Sequence, residues 1–459
     1  MLKTDILEFV ETHGKEFTDL SDRIWEYAET CFKEQKSSAD QIEILKKYGF
    51  SIATPVADMD TAFIAEYGSG KPVLAFLGEY DALPGLSQKA DVTEPDPLED
   101  GGNGHGCGHN ILGSGMVEAV CATREMIEKY HMEGTIRYYG CPAEEGGGGK
   151  VFMVRAGAFD DVDAVLSWHP GYGNFMMTPM LGCITASYEF TCRDPRNPHI
   201  ASMDALDAAE LMNTSVQYLR EHILPGCRLE YAVLNPGGSA SNMPKKNVKV
   251  LYCVRAASNQ YVKFLFDRLT AISKGIAIVA NVEVSEPHIT NAYASFIPNN
   301  VLQEALYKIC QENMPVSYTD EELEYARKFQ PLGRGANRLD PIDLKFEPYR
   351  HDGRINPAST DVGDVSMVAP TCGCHFVINC TGTLSHSIPL VAQGKSSIAH
   401  KGLHQCGKVF AEFACQLLSD EELLQNAKAE FDVMRNGESF KTFLPENVTP
   451  RTVLRDMYS

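Results

Sequence analysis

The sequence predicts an α/β protein in two parts, because strand-like and helix-like segments alternate and because the chain is long. Four short apolar runs, typical of buried strands, cover residues 61–68, 72–81, 135–142 and 164–170. A periodic segment at 109–131, long enough for a helix, lies between the second and third runs. Strands that alternate with helices are typical of an α/β sheet. At 459 residues the chain exceeds what one hydrophobic core usually supports.

Helices are expected on either side of these strands. Apolar residues at helical spacing in residues 4–48 predict two amphipathic helices ahead of the first strand. After Pro298 the alternation resumes, with a strand at 374–380 and a helix pair near 401–432. The same sheet is therefore expected to receive chain from both ends of the sequence.

Residues 182–293 carry a different pattern and are predicted to form an inserted α+β domain. Strand-like and helix-like segments follow one another there in the order β-α-β-α-β, and the last strand is expected at 277–287. The main domain is then discontinuous and consists of residues 1–181 and 294–459.

Composition excludes several classes of partner. The formal net charge is -20, with 41 Lys+Arg against 61 Asp+Glu and no basic cluster, which argues against nucleic acid and anionic membranes as partners. No apolar run approaches the ~18 residues of a membrane span. The first residues lack a secretory signal, and the 14 cysteines are simplest to explain as reduced thiols. We therefore expect a cytoplasmic protein.

Polar residues collect where the predicted strands end. They are Asp81, Glu144, Glu145, His169 and His386, together with the loop "GHGCGHN" at 104–110 that precedes the 109–131 helix. Ligands of open α/β sheets bind outside the carboxyl ends of the strands. We expect carboxylates, imidazoles and a thiol to meet at one rim.

Two chemistries compete for Cys107. A cysteine nucleophile needs a histidine base, and His105 or His109 could serve. A metal site would use the acids and the remaining histidines as well, since Cys, His and carboxylate suit Zn²⁺ and paired ions share ligands. We favour the metal site.

The glycines before Lys150 do not form a phosphate loop, because Val151 follows the lysine and two acids precede the glycines. They are expected instead to let the backbone pass close to a crowded site.

Five motifs together resemble one enzyme family. "FLGEYDALPG", "GHGCGHN", "CPAEEGGGGK", "SWHP" and "STDVGDVS" are similar to the twentieth metallopeptidase family, the aminoacylase and carboxypeptidase group, and within it to the amidohydrolase branch. The resemblance runs over nearly the whole chain. It implies a zinc-peptidase-like α/β catalytic domain, an inserted lid that also makes the dimer contact, and hence a homodimer.

The resemblance also implies roles for individual residues. Cys107 would bridge two divalent ions, Zn or Mn, and His109, Glu145, His169 and His386 would complete the ligands. Glu144 would be the general base, and Asp81 would orient a ligating histidine. For His105, a ligand role and a packing role both stay open.

The lid departs from the family pattern at one point. Asn242 and Arg255 match the positions that hold the substrate carboxylate in the family, although Arg255 is equally well explained as a surface residue. The family's lid histidine, which stabilises the oxyanion in the site of the other protomer, has no clear counterpart. His199 is the candidate replacement.

The resemblance implies a two-metal amidohydrolase that cleaves N-acyl or aroyl amino acids, p-aminobenzoyl-glutamate among them, or small dipeptides. Two alternatives stay open: a cysteine-nucleophile hydrolase that uses Cys107, and a metal-binding relative that has lost catalysis, suggested by the altered lid. The acyl group, the native metal and the need for a second type of chain are not determined by the sequence.

Overall fold

The computed structural model describes residues 1–193, 203–334 and 340–458. The described helices are α1 (Leu2–Tyr27), α2 (Gln35–Lys47), α3 (His109–Tyr130), α4 (Gly149–Arg155), α5 (Ala205–Arg220), α6 (Asn259–Ala280), α7 (Asn300–Glu312), α8 (Asp320–Phe329), α9 (Val362–Ser366), α10 (Ile388–Gln393), α11 (Ser397–Ser419), α12 (Glu421–Arg435) and α13 (Pro450–Tyr458). The described strands are β1 (Ser51–Ala53), β2 (Phe63–Ser69), β3 (Val73–Glu79), β4 (Gly134–Cys141), β5 (Ala164–Gly171), β6 (Phe175–Met176), β7 (Gly182–Cys192), β8 (Arg228–Asn235), β9 (Asn247–Ala256), β10 (Val282–Val284), β11 (His288–Tyr293) and β12 (Thr371–Val377).

The first of two compact units comprises residues 1–178, 297–353 and 365–440. Its seven-stranded sheet has the order β1-β2-β4-β3-β5-β12-β6, and the neighbours β4, β3, β5 and β12 run parallel. Every residue of β3 is buried, as expected for a parallel strand with both faces covered. This sheet confirms the predicted α/β class.

The parallel strands bring distant parts of the chain to one edge of the sheet. Because the carboxyl ends of β3, β4, β5 and β12 point the same way, the segments that follow them lie at a common rim. Helix α3 packs with α1 and α11 into the hydrophobic core beside this sheet. The rim is therefore supported by rigid elements rather than by a loop alone.

The second unit comprises residues 179–296, 354–364 and 441–459. Its antiparallel sheet has the order β10-β7-β9-β8, with β11 also paired to β7. Alternate residues of β9 are fully buried, and α5 and α6 pack against the sheet. The domain boundaries expected from the sequence remain a prediction.

This unit contains more strands than the five-element pattern predicted. The pattern missed β8 because all but one of its residues are exposed, so no apolar alternation marks it. It also assigned residues 277–287 to one strand, whereas α6 continues to Ala280 and β10 is three residues long. A short apolar run does not distinguish a helix end from a strand.

No helix among the described residues combines the length and the apolar character that crossing a membrane requires.

Candidate metal centre

The loop 104–110 is shaped by glycines and ends on the first turn of α3. Gly108 caps the helix with φ +79°, and a Cβ there would lie 2.9 Å from the side chain of Ile378. Only glycine fits both constraints. The carbonyl of Gly106 accepts a hydrogen bond from the backbone N–H of His386 at 2.7 Å. This bond ties the segment after β12 to the loop that carries Cys107 and His109.

Three groups of side chains at this rim are arranged so that each could hold a metal ion. They are Cys107, His109 and His169; Cys107, Glu145 and His386; and Glu79, His109 and Glu144. Within each group the donor atoms lie within 4.8 Å of one another. The structure thus brings together all five predicted ligands and the predicted base. Cys107 belongs to two of the groups.

The distances within these groups suit a shared ion. Cys107 Sγ lies 3.4 Å from His169 Nε2, and Glu145 Oε2 lies 3.3 Å from His386 Nε2. Two ligands bound at about 2.0–2.3 Å to one tetrahedral Zn²⁺ lie about 3.3–3.8 Å apart. Buried His109 Nε2 and Glu145 Oε1 have no hydrogen-bond partner among the described residues. Buried polar atoms ordinarily have a hydrogen-bond partner, and a bound cation would take the place of that partner here.

Asp81 holds two parts of the centre. One carboxylate oxygen accepts a hydrogen bond from His109 Nδ1–H at 2.9 Å, and the other accepts one from the backbone N–H of Glu145 at 2.8 Å. Burial acts to raise the pKa of Asp81, but His109 and this N–H outweigh it and keep the pKa below its usual value. Although burial acts to lower the pKa of His109, Cys107 and then Asp81 hold it well above its usual value. With Nδ1–H bound to Asp81, a metal ion at Nε2 would displace the second proton of His109.

The imidazole of His169 is also oriented by a hydrogen bond from its Nδ1–H. Its Nδ1–H donates to the carbonyl of Pro170 at 2.8 Å, so that Nε2 faces Cys107. Burial, followed by the neighbouring His109, lowers the pKa of His169. Neutral imidazole is the form that binds metals.

Two functional candidates were missed by the sequence reasoning. Buried Lys150 places Nζ 2.5 Å from Glu79 Oε1, and Glu79 Oε2 lies 3.3 Å from His109 Nε2. A signal for Glu79 was available, since residues two apart at the end of a strand share a face and Asp81 is two residues on. Nothing local marks Lys150, which lies on α4, because its partner lies on β3, far away in the sequence. Lys150 therefore faces a carboxylate of the centre.

The glycines before Lys150 permit the close approach that was expected of them. A Cβ on Gly149 would lie 2.0 Å from the carbonyl oxygen of Pro142, and one on Gly147 would lie 2.6 Å from Ala143 Cβ. The turn that carries Glu144 and Glu145 can therefore fold tightly against its own strand end.

The other residues of the loop and the other late histidines are used in packing. His105 Nε2–H donates to the carbonyl of Ile24 at 3.0 Å, and the amide of Asn110 donates to Ser21 Oγ at 3.0 Å. His400 contacts Asp22, and His404 contacts Glu118. Burial, followed by His109, lowers the pKa of His105 to about 3.

We therefore expect the His105→Gln variant to keep the metal content of the unaltered protein. The glutamine amide can donate to the carbonyl of Ile24 in place of the imidazole, so only stability should fall, by about 1–3 kcal/mol for an imperfect buried hydrogen bond. Metal content by mass spectrometry and chemical unfolding check this, with His109→Gln as the control that loses metal. Loss of an ion in His105→Gln would make His105 a ligand.

The predicted lid residues lie in the second unit. Asn242 is exposed. Arg255, on β9, places Nε 3.5 Å from Glu230 Oε2 and Nη1 3.5 Å from Ser359 Oγ. His199 lies outside the described residues. The substrate-binding roles of Asn242 and Arg255 stay predictions.

The surroundings of Cys107 do not favour the thiolate form that a cysteine nucleophile needs. Burial, followed by the carboxylate of Glu145, raises its pKa well above the usual value. A reactive cysteine needs the opposite, an electropositive environment that favours the thiolate. A divalent cation at this position would supply the missing positive charge.

Thiol, imidazole and carboxylate donors gathered at the carboxyl ends of parallel strands are typical of a metal-dependent hydrolase. The chain belongs to peptidase family M20/M25/M40, whose model matches residues 75–386. It is 37% identical to one of the chains of p-aminobenzoyl-glutamate hydrolase of Escherichia coli, over 96% of this chain and 97% of that protein. It is 25% identical to the Xaa-Arg dipeptidase of Mus musculus, over 94% and 92%.

A solved structure supports the fold. The dinuclear metal-binding M20 peptidase of Bacillus subtilis aligns with a TM-score of 0.59 at 15% identity, over 88% of this chain and 99% of that one. The family that the motifs indicated and the α/β fold with a second domain are confirmed. The protein is thus an amidohydrolase of this family.

Proposed function

We propose that the protein is a two-metal hydrolase that cleaves the amide bond of N-acyl or aroyl amino acids or of small dipeptides. The observation that carries this proposal is the position of Cys107, which belongs to two donor groups at once. A thiolate that belongs to two groups of donors could contribute to holding both ions of a pair. Zn²⁺ and Mn²⁺ are the candidate ions, and thiolate favours Zn²⁺.

The charges of the centre support two ions rather than one. Glu79, Asp81, Glu144, Glu145 and the thiolate of Cys107 carry five negative charges when ionised, and Lys150 carries one positive charge. Two divalent cations would balance the remaining four negative charges. Uncompensated charge in a buried site is costly, so a single ion would leave the centre poorly balanced.

The residues of this chain then have distinct tasks. When bound, the two ions lower the pKa of a water molecule and polarise the substrate carbonyl. Glu144 accepts a proton from the attacking water and donates it to the leaving nitrogen. Asp81 keeps the Nδ1 proton on His109 and holds the backbone of Glu145. Buried Lys150 fixes the carboxylate of Glu79 beside His109.

The substrate class rests on the relatives. One relative is named for p-aminobenzoyl-glutamate and another for dipeptides of the form Xaa-Arg. Both names describe a small molecule with an amide bond to an amino acid, and we propose that class here. The hydrolase named for p-aminobenzoyl-glutamate has two named kinds of chain. A homodimer through the inserted domain and a cytoplasmic location remain predictions.

The deciding experiment removes the metal and restores it. Protein treated with a chelator should lose hydrolysis of a panel of N-acyl amino acids, p-aminobenzoyl-glutamate and dipeptides, and Zn²⁺ or Mn²⁺ should restore it at two ions per chain. The control is protein carried through the same steps without chelator. Full activity of the metal-free protein would overturn the proposal.

The same experiment separates the two alternatives. Activity without metal, with an acyl-cysteine trapped at Cys107 and seen by mass spectrometry, would favour a thiol hydrolase in which His169, 3.4 Å away, is the base. Two bound ions without hydrolysis of any substrate in the panel would favour a relative that has lost catalysis.

A further inference from the structure

Glu34 is a fully buried carboxylate that no motif in the sequence singled out. It lies between α1 and α2, and its side chain is 0% exposed. One oxygen accepts hydrogen bonds from the backbone N–H of Phe32 at 2.9 Å and of Ala143 at 3.0 Å. The other accepts one from Thr61 Oγ1 at 3.0 Å. The acid thus links the N-terminal helices to the segment after β4.

Ala143 is the residue before the two glutamates of the centre, and its conformation is unusual. Its φ is +61°, a region that residues with a Cβ rarely adopt. Its carbonyl accepts hydrogen bonds from the N–H groups of Gly147 and Gly148 at 3.0 and 2.7 Å. This conformation closes the turn that carries Glu144 and Glu145. Such strain persists only where the surroundings fix it.

Two buried carboxylates accept hydrogen bonds from the backbone of this turn. Glu34 binds the N–H of Ala143, and Asp81 binds the N–H of Glu145 at 2.8 Å. The held residues lie on either side of Glu144, whose side chain belongs to the donor group of Glu79 and His109. The direction in which Glu144 points is therefore set by the two acids together.

We propose that Glu34 is a positioning residue of the hydrolytic reaction: through the N–H of Ala143 it fixes the turn that aims Glu144 and Glu145. This inference rests on the proposed function, because it assigns Glu34 a role in aiming the base and a metal ligand. Glu34 does not reach the reacting atoms. Its effect is expected on kcat more than on KM, since a displacement of about 1 Å at a reacting group can cost about 10²-fold.

The hydrogen bonds dictate which substitution should be tolerated. Both backbone N–H groups use a single oxygen of Glu34, which a glutamine carbonyl can replace. The glutamine NH₂ would then face Thr61 Oγ1, and a hydroxyl can accept as well as donate. Burial, followed by the charge of Asp81, raises the pKa of Glu34, which makes a neutral substitute more acceptable. Methionine has a similar length but offers no oxygen to accept the hydrogen bonds from Phe32 and Ala143, so this substitution should not be tolerated.

Three variants of the full chain test the role. Glu34→Met should lower kcat about 10²-fold with KM within about threefold, when measured at full metal content and well below its unfolding temperature. Glu34→Gln should stay within about fivefold of the unaltered kcat. The matched control is Glu118→Met. It removes another 0% exposed acid, which lies in the middle of α3 and is paired with His404 of α11, and it should keep kcat within about threefold.

The outcomes separate this inference from the proposed function. Unchanged kcat in Glu34→Met, or an equal loss in Glu118→Met, overturns the positioning role alone. An unaltered protein that hydrolyses nothing in the panel overturns the proposed function and this inference with it. If Glu34→Met does not fold, Glu34→Asp keeps the carboxyl group but shortens the reach to Ala143, so a kcat loss of about tenfold supports the role and an unchanged kcat overturns it.

Discussion

The Glu144→Gln variant is expected to lose about 10³-fold in kcat while keeping both metal ions. General acid–base catalysis contributes typically about 10²–10⁴-fold, and glutamine offers a similar shape without the ability to take up the proton. Glu144 and His109 belong to the same donor group, so a proton acceptor there lies beside the ions. Steady-state kinetics and metal analysis of the same sample check the prediction.

The neighbouring acid is the control. Glu145 Oε2 lies 3.3 Å from His386 Nε2 and shares the second donor group with Cys107, so Glu145→Gln should lower metal content as well as rate. The two variants thus differ in one measured quantity, the number of bound ions. If Glu144→Gln loses an ion and Glu145→Gln keeps both, the roles of the two glutamates are reversed.

The second large effect is on stability. The Lys150→Met variant is expected to lower the free energy of unfolding by about 3–5 kcal/mol, because breaking a buried ion pair leaves one charge without compensation. Lys150 is 0% exposed, and its Nζ lies 2.5 Å from a carboxylate oxygen of Glu79, itself 4% exposed. Although burial acts to raise the pKa of Glu79, Lys150, followed by His109, holds it below its usual value. Chemical unfolding in the presence of chelator measures the change without a contribution from metal.

A double variant distinguishes the ion pair from general packing. Lys150→Met combined with Glu79→Gln removes both charges, and stability should recover by at least half of the loss. Replacing a whole buried pair with neutral groups is often close to neutral, whereas removing one partner is costly. A single variant as stable as the unaltered protein, or a double variant worse than the single one, would contradict the charge-pair explanation.

Much of the first unit could be predicted because its signals are local. The strands expected at 72–81, 135–142 and 164–170 appear as β3, β4 and β5, since buried parallel strands read as continuous apolar runs. The five predicted ligands could be collected for a related reason: each lies near a strand end or after a glycine turn, and parallel strands bring those points to one rim. Where burial was weak, as along β8, prediction failed.

By itself, the sequence determined the α/β class, the family and a set of candidate ligands, because apolar periodicity and motif chemistry are properties of short segments. Only the tertiary structure decided which of these side chains face one another. His105 is hydrogen-bonded to Ile24, and Lys150 is paired with Glu79. Glu34 is hydrogen-bonded to Ala143, which lies 109 residues further along the chain. Burial gives such contacts their energetic weight, and burial depends on elements that are distant in sequence.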